Sequence, residues 1–203
     1  AGCGIGRFTA LAQASGASVV AVDASRAAAA TCRKNTGAAC VQADLLDLPL
    51  RTGVFDAAFS IGVLHHTADP QRAFEAVAAC VKPGGRLAVW VYAQPVSNKL
   101  LPVHDMLHEI TRACPPGVLY DICCRYAVKV RDIYAGAWEP LQQILRVSYS
   151  PDDAECISDT FDWHTPQYRS WHTYQEVRGW FKAAGFVDIT DGSFPVSVSG
   201  RKK

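Results

Sequence analysis

Apolar and polar positions follow two different periods along this chain. Ser18 to Asp23 is a β-branched run that closes on an acid, the pattern of a short buried strand. Ser25 then caps an alanine-rich helix that Gly37 stops. Ala39 to Asp44 predicts a second strand, again ending in an acid, and Phe55 to Gly62 a third and more apolar one. Pro70 behind Asp69 opens a helix that runs to about Val81. Lys82-Pro83-Gly84-Gly85 breaks it, and Arg86 to Tyr92 reads as a fourth strand. Strands alternating with helices at this spacing predict a mostly parallel sheet covered on both faces.

The alternation stops at Pro95. Leu100, Leu101, Val103, Met106, Leu107 and Ile110 recur with a helical period, and the stretch from about Ser97 to Val147 therefore predicts amphipathic helices, followed by an irregular aromatic stretch through Trp171. The pattern resumes at Thr173-Tyr-Gln-Glu176, which has the form of a capping box opening a helix that ends at Gly185. Val187 to Thr190 and Pro195 to Ser199 predict two closing strands. The expected organisation is one domain, with a core over 1–93, a helical and aromatic insertion over 94–172, and a closing helix and strands over 173–203.

Composition narrows the classes. Of 203 residues, 49% are hydrophobic and 19% charged, which supplies a sizeable core and excludes intrinsic disorder. Twenty Lys and Arg against 19 Asp and Glu leave a net charge of +1. That balance argues against a module that grips polyanions through clustered positive charge, so no nucleic acid partner is expected. Arg201-Lys202-Lys203 reads as a solvated tail. No window approaches the roughly 20 apolar residues of a membrane-spanning helix, and no membrane partner is expected. The 8 cysteines lack the paired spacing of a zinc site and read as reduced, mostly buried thiols of a cytoplasmic protein.

The candidate chemistry begins at the first residue. Ala1-Gly2-Cys3-Gly4-Ile5-Gly6 leads directly into a helix from Phe8 to about Ser15. Glycines at 2, 4 and 6 allow a tight turn and close approach of a ligand to the backbone, and the helix start offers unpaired N–H groups. Asp23, Asp44 and Ser60-Ile61-Gly62 all fall at predicted strand ends, where ligands of open α/β sheets bind. His104 and His108 stand four apart on a predicted helix, but no third ligand accompanies them and no metal is expected.

As a set, these motifs resemble the class I S-adenosylmethionine-dependent methyltransferases, in the branch that acts on small molecules. The glycine turn has that family's Gly-x-Gly-x-Gly form. Val22-Asp23-Ala24-Ser25, Gln42-Ala43-Asp44-Leu45, Phe55-Asp56 to Val63-Leu64-His65-His66, and Val81-Lys82-Pro83-Gly84-Gly85 follow it in order. The resemblance is dense from Ala1 to Tyr92 and loose from Thr173 to Ser199. It implies a Rossmann-like, doubly wound α/β fold whose first, central strand is missing from the chain, with S-adenosylmethionine as cofactor.

The resemblance also assigns residues. Gly2, Cys3, Gly4 and Gly6 would line the amino-acid and ribose portions of the cofactor. Asp23 would take the ribose hydroxyls, with Ala24 and Ser25 near the adenine. Asp44 would accept from the adenine amine beside the Leu45 amide. Ser60, Ile61 and Gly62 would pass under the methionine end, bringing His65 and His66 near the reacting methyl, where either is a candidate general base or a residue that shapes the pocket. The insertion resembles the lids that select acceptors in this family, and Tyr134, Trp138, Trp163 and Tyr168 are its candidate substrate residues. The expected function is methyl transfer to a small-molecule acceptor by in-line displacement. A nicotinamide-dependent reductase and a cofactor-binding protein without turnover are the alternatives.

Overall fold

The computed structural model describes residues 1–94, 101–134 and 147–203. These divide into two compact units, Ala1–Gln94 with Tyr168–Lys203, and Pro95–Gln167.

In the first unit the elements follow the predicted order. Helix α1 (Arg7–Ala14) leaves the glycine turn, and β1 (Val20–Asp23) follows. Helix α2 (Arg26–Thr36) is capped by Ser25, whose hydroxyl accepts from the Ala28 N–H, and ends on Gly37 at φ 69°. Strand β2 (Ala39–Gln42) precedes β3 (Phe55–Ile61), and α3 (Pro70–Cys80) starts where the Asp69 carboxylate accepts from the Arg72 N–H. Strand β4 covers Val81–Trp90. The Lys82–Gly85 segment, expected to separate helix from strand, is instead a bulge inside β4: pairing jumps from Phe55↔Val81 to Ala57↔Arg86. Lys82 pairs there with Asp56.

Strands β1 and β2 form a parallel pair. Strand β3 lies parallel to β4 in a four-stranded sheet. Its other members are β6 (Ser197–Lys202), antiparallel to β4, and β5 (Phe186–Asp191), antiparallel to β6. The predicted Rossmann-like α/β fold is thus present, with one antiparallel portion. Strand β6 runs past Ser199 and corrects the expectation of a solvated basic tail. Arg201 sits opposite Arg86 in the ladder and pairs with Asp188, while the Lys202 ammonium donates to the carbonyls of Ala78 and Val81. Backbone pairing and two helix-end acceptors hold these cations where charge alone suggested solvent.

The main core sits where α3 packs beside α7 (Tyr174–Ala183). Phe74 of α3 lies 4.8 Å from the Phe181 ring and 5.8 Å from Trp180. Leu87, Val89 and Val91, at alternate positions along β4 and just past it, are buried under them. Thr173 caps α7 by accepting from the Glu176 N–H.

The second unit contains α4 (Leu101–Arg112), α5 (Pro116–Tyr134) and α6 (Asp153–His164). Helix α6 falls in the stretch expected to be irregular. Asp152 accepts from the Glu155 N–H at its start, an acid cap that the aromatic content of the stretch obscured. Ala127 and Cys156 pack α5 against α6, and Thr111 ties α4 to the His164 carbonyl at 3.0 Å.

Strands β1 and β3 do not pair with each other. A cavity of about 310 Å³ lies between their edges, lined by Val20, Ala21 and Val22 on one side and Phe55, Ala57 and Phe59 on the other. The Ala1 nitrogen donates to the Phe59 carbonyl at 2.8 Å. Two facing strand edges over an apolar slot match the space of one further strand. Extending the chain ahead of Ala1 by about 5 to 6 apolar, strand-forming residues is therefore expected to raise Tm by about 4 °C or more in thermal melts. Equal melting temperatures would show that the slot does not accept a strand.

Candidate functional site

The glycine turn, the end of β1 and the start of α2 are joined by one carboxylate. Asp23 accepts from the Gly4 N–H through Oδ2 and from the Ser25 N–H through Oδ1, each at 2.9 Å. The Gly2 and Cys3 N–H groups donate to the Val22 carbonyl, closing the turn onto β1. Gly2 and Gly4 are glycine for different reasons. A Cβ on Gly2 would lie 2.1 Å from a Val63 methyl, whereas one on Gly4 meets nothing within 4 Å and would only be strained at φ 51°. The backbone at Gly4 is thus open to a ligand.

The remaining residues expected to touch the cofactor are spread over three strand ends. Asp44 is exposed, and its Oδ1 accepts from the Leu46 N–H at the start of a short 3-10 turn, Leu45–Asp47, in which Leu45 is buried. Ala24 and Ser25 are exposed beside Asp23. At the end of β3, Ser60 is fully buried with its hydroxyl unpartnered, and the Gly62 N–H donates to the Trp90 carbonyl. These features suit the cofactor that the sequence implies. A carboxylate carries about four lone-pair sites, so two remain on Asp23 for hydroxyls. Gly4 leaves room for close contact, and two buried polar atoms, Ser60 Oγ and His65 Nε2, have no protein partner.

The two histidines differ. His65 is fully buried, stacked at 3.8 Å on Tyr92, with Nδ1 accepting from the Tyr92 N–H at 3.3 Å. Burial, with smaller contributions from His66 and His172, pushes its pKa down to about 2. A general-base role for His65 is disfavoured by geometry, since its lone-pair nitrogen Nδ1 is taken up by the Tyr92 N–H in a fully buried position. His66 is half-buried, and its Nδ1 faces the Tyr168 carbonyl at 3.0 Å. A carbonyl only accepts, so Nδ1 carries the proton and Nε2 is the basic nitrogen.

The segment after the insertion returns to this loop. Both the N–H and the hydroxyl of Ser170 donate to the His65 carbonyl, at 3.0 and 3.2 Å. His172 bonds Ser170 Oγ through Nε2 at 2.8 Å and Glu176 through Nδ1 at 3.0 Å. The Glu176 carboxylate thus serves His172, and only the Thr173 half of the expected capping box appears among the described bonds. Trp171 stacks on Tyr92 at 5.5 Å, and the Arg169 guanidinium lies over Trp171. Trp90 and Tyr92 were not expected at the site. Their spacing of two at the end of a strand is the signal that places both on one side.

Of the four candidate substrate residues, Tyr168 is exposed in the first unit and meets His66 through its carbonyl. Trp163 is half-buried on α6 of the second unit. The Trp138 position and the Tyr134 side chain lie outside the described residues. His104 and His108 are both buried on α4, and among the described residues no group of three or more His, Cys, Asp or Glu is placed to share a metal ion. Nor is any described helix long and apolar enough to cross a membrane.

Residues 1–89 match the family model described as a methyltransferase domain. The human protein named "Probable tRNA methyltransferase 9B" is 37% identical over 39% of this chain and 18% of its own length. A "tRNA U34 carboxymethyltransferase" from Syntrophotalea carbinolica is 25% identical over 77% of this chain and 40% of its own. The chain therefore spans well under half of either relative. Among solved structures, an S-adenosylmethionine-dependent methyltransferase from Mesorhizobium loti superposes with a TM-score of 0.58 at 22% identity, covering 99% of this chain and 88% of that one. That likeness confirms the fold.

These relatives overturn one expectation, that of a small-molecule acceptor with no nucleic acid partner. The charge balance that suggested it is an average over 203 residues. It says nothing about a local site that receives one nucleotide, or about the rest of a longer protein that grips the phosphates.

The burial of His65 generates a test. Its unfolded-state pKa is the ordinary 6.5 and its folded value about 2, so between these values the unfolded chain binds more protons. The contribution is complete above 6.5 and is lost as pH falls. The stability of the native chain should drop by up to about 1.4 kcal/mol per pH unit on acidification from this group alone. Urea melts of His65→Gln against the native chain should show a shallower slope; identical slopes would mean that His65 titrates normally.

Proposed function

We propose that this chain, whose residues 1–89 match a methyltransferase domain, is an S-adenosylmethionine-dependent methyltransferase that transfers the cofactor's methyl group to a base of transfer RNA. The observation that carries the transferase part is the cradle made by Asp23, Gly4 and Ser25, followed by a second exposed acid, Asp44, at the next strand end. The acceptor part is supported by the relatives named for tRNA, one of which matches across 77% of the chain.

When bound, the cofactor's sulfonium supplies an electrophilic carbon, and little acid-base chemistry is then asked of the protein. Asp23 would hold the ribose hydroxyls on its two remaining lone-pair sites, and Asp44 would accept from the adenine amine next to the Leu45 amide. The backbone of Ser60, Ile61 and Gly62 would bound the methionine end, and the open space at Gly4 would let the cofactor approach the turn. His66 takes the acceptor's proton on Nε2 as the new bond forms, its tautomer set by the Tyr168 carbonyl. His65 stays neutral and carries the Tyr92 backbone. The stacked Tyr92 and Trp171 rings, with Arg169 over Trp171, brace the loop that carries the two histidines. The inserted helical unit is proposed to select the acceptor, with Trp163 as its contribution and Tyr134 and Trp138 as further candidates.

Incubating the protein with S-adenosylmethionine tritiated on the methyl, in the presence of bulk tRNA or of a metabolite extract, tests both parts. Label that precipitates with tRNA and is released by ribonuclease is expected. Label confined to the metabolite fraction would sink the RNA acceptor, and absence of cofactor binding by calorimetry would sink the transferase. Asp23→Ala should weaken cofactor binding about 10- to 100-fold, the loss of charge-assisted hydrogen bonds. His66→Ala should instead lower turnover by about 10²-fold or more while cofactor affinity holds; equal turnover would remove the base.

A further inference from the structure

The three cysteines that precede β3 are far apart in sequence and adjacent in space. Cys3 lies in the glycine turn, Cys32 on α2 and Cys40 in β2. Cys32 and Cys40 are buried together with Ala21, Ala29 and Ala38, and Cys3 packs against that cluster. The Cys32 sulfur lies directly beneath the turn: a Cβ on Gly6 would stand 3.1 Å from it. Gly6 in turn donates to the Cys3 carbonyl at 2.9 Å, so Cys3 and Cys32 flank one closed loop of backbone. None of these sulfurs has a role in the proposed transfer.

We propose that Cys3 and Cys32 are an oxidation site, joined by a hydroperoxide into a reversible disulfide that pins the glycine turn to α2. The two thiols are unlike. Burial, with the neighbouring Cys32, pushes Cys3 up to about 12, yet Cys3 is only half-buried and is the one that solvent reaches. Cys32 is fully buried, and burial alone would raise it. Hydrogen bonding with Thr9, Cys40, Cys3 and Thr36 outweighs that and holds it below the ordinary thiol range. Thr9 Oγ1 stands 3.6 Å and Thr36 Oγ1 3.9 Å from the sulfur.

The chemistry balances with one peroxide. The Cys3 sulfur attacks a peroxide oxygen, breaking the O–O bond and giving a sulfenic acid and one water. The Cys32 thiolate then attacks the Cys3 sulfur, forming the S–S bond and displacing hydroxide, which leaves as a second water with the proton Cys32 released. Two thiols and one hydrogen peroxide thus become one disulfide and two waters. Cys40 shares the cluster with Cys32 and competes for it, which gives the pairing a specific alternative.

The consequence for function rests on the reading of the turn as the cofactor cradle. A bond from Cys3 to α2 draws the backbone around Gly4 away from the position in which Asp23 holds it, and S-adenosylmethionine binding falls. Conversely, bound cofactor covers Cys3 and slows the oxidation.

The test treats the full chain with millimolar hydrogen peroxide, blocks free thiols, digests without reductant and maps the peptides by mass spectrometry. Calorimetry with S-adenosylmethionine runs in parallel. A Cys3–Cys32 linked peptide that dithiothreitol removes is expected, with cofactor affinity lowered about tenfold or more and restored by the reductant. Oxidised Cys32→Ser should retain the affinity of its own reduced form. Should that variant fail to fold, the native chain before and after dithiothreitol carries the same comparison. A Cys32–Cys40 peptide in place of Cys3–Cys32, or Cys3 found only as sulfinic or sulfonic acid, would overturn the proposal. Linkage with S-adenosylmethionine binding equal in both forms supports the disulfide and overturns the cofactor reading of the turn.

Discussion

Strand β4 is the member on which the rest of the first unit depends. It hydrogen-bonds parallel to β3 on one side and antiparallel to β6 on the other, joining the first half of the chain to its last residues. Leu87 and Val89 are buried on one face, and Val91 continues the series just beyond the strand. Burial of such side chains stabilises by roughly 1.5–3 kcal/mol each, so a slip of one residue would turn all three outward at once. That penalty holds the register, and the register in turn brings Trp90 and Tyr92 out at the end where the site is built.

From Tyr92 the site follows by contact. Its backbone N–H meets His65, its ring stacks between His65 and Trp171, and its carbonyl accepts from the His172 N–H. One residue thereby joins the loop after β3 to the segment that returns from the insertion. The Glu176, His172 and Ser170 chain fastens that segment again onto the His65 carbonyl. His65 is kept neutral by the same burial that makes it a good brace, whereas His66, one residue on, is half-buried and meets the Tyr168 carbonyl. Two adjacent identical side chains thus take different roles through environment alone.

The other end of the site depends on Asp23. One carboxylate satisfies N–H groups of the glycine turn and of the α2 start while keeping lone pairs in hand, so the turn is shaped before any ligand arrives. The thiols of Cys3, Cys32 and Cys40 fill the space behind it, which couples the shape of the cradle to their oxidation state.

Much of this was legible in the residues alone. Ser25, Asp69 and Thr173 stand as caps where local hydrogen bonding puts them, and acids closing β-branched runs marked the strand ends, because caps and periods are local properties of the chain. The order of the motifs pointed to the methyltransferase family for the same reason. Other features had no local signal. The basic residues of β6 looked solvated until β4 paired with them, and α6 was masked by aromatic residues despite its Asp152 cap. Net charge, an average, pointed away from RNA. The neutrality of His65, the slot between β1 and β3 and the meeting of three cysteines at positions 3, 32 and 40 were decided by the tertiary structure, because burial and proximity between distant segments exist only once the sheet has brought them together.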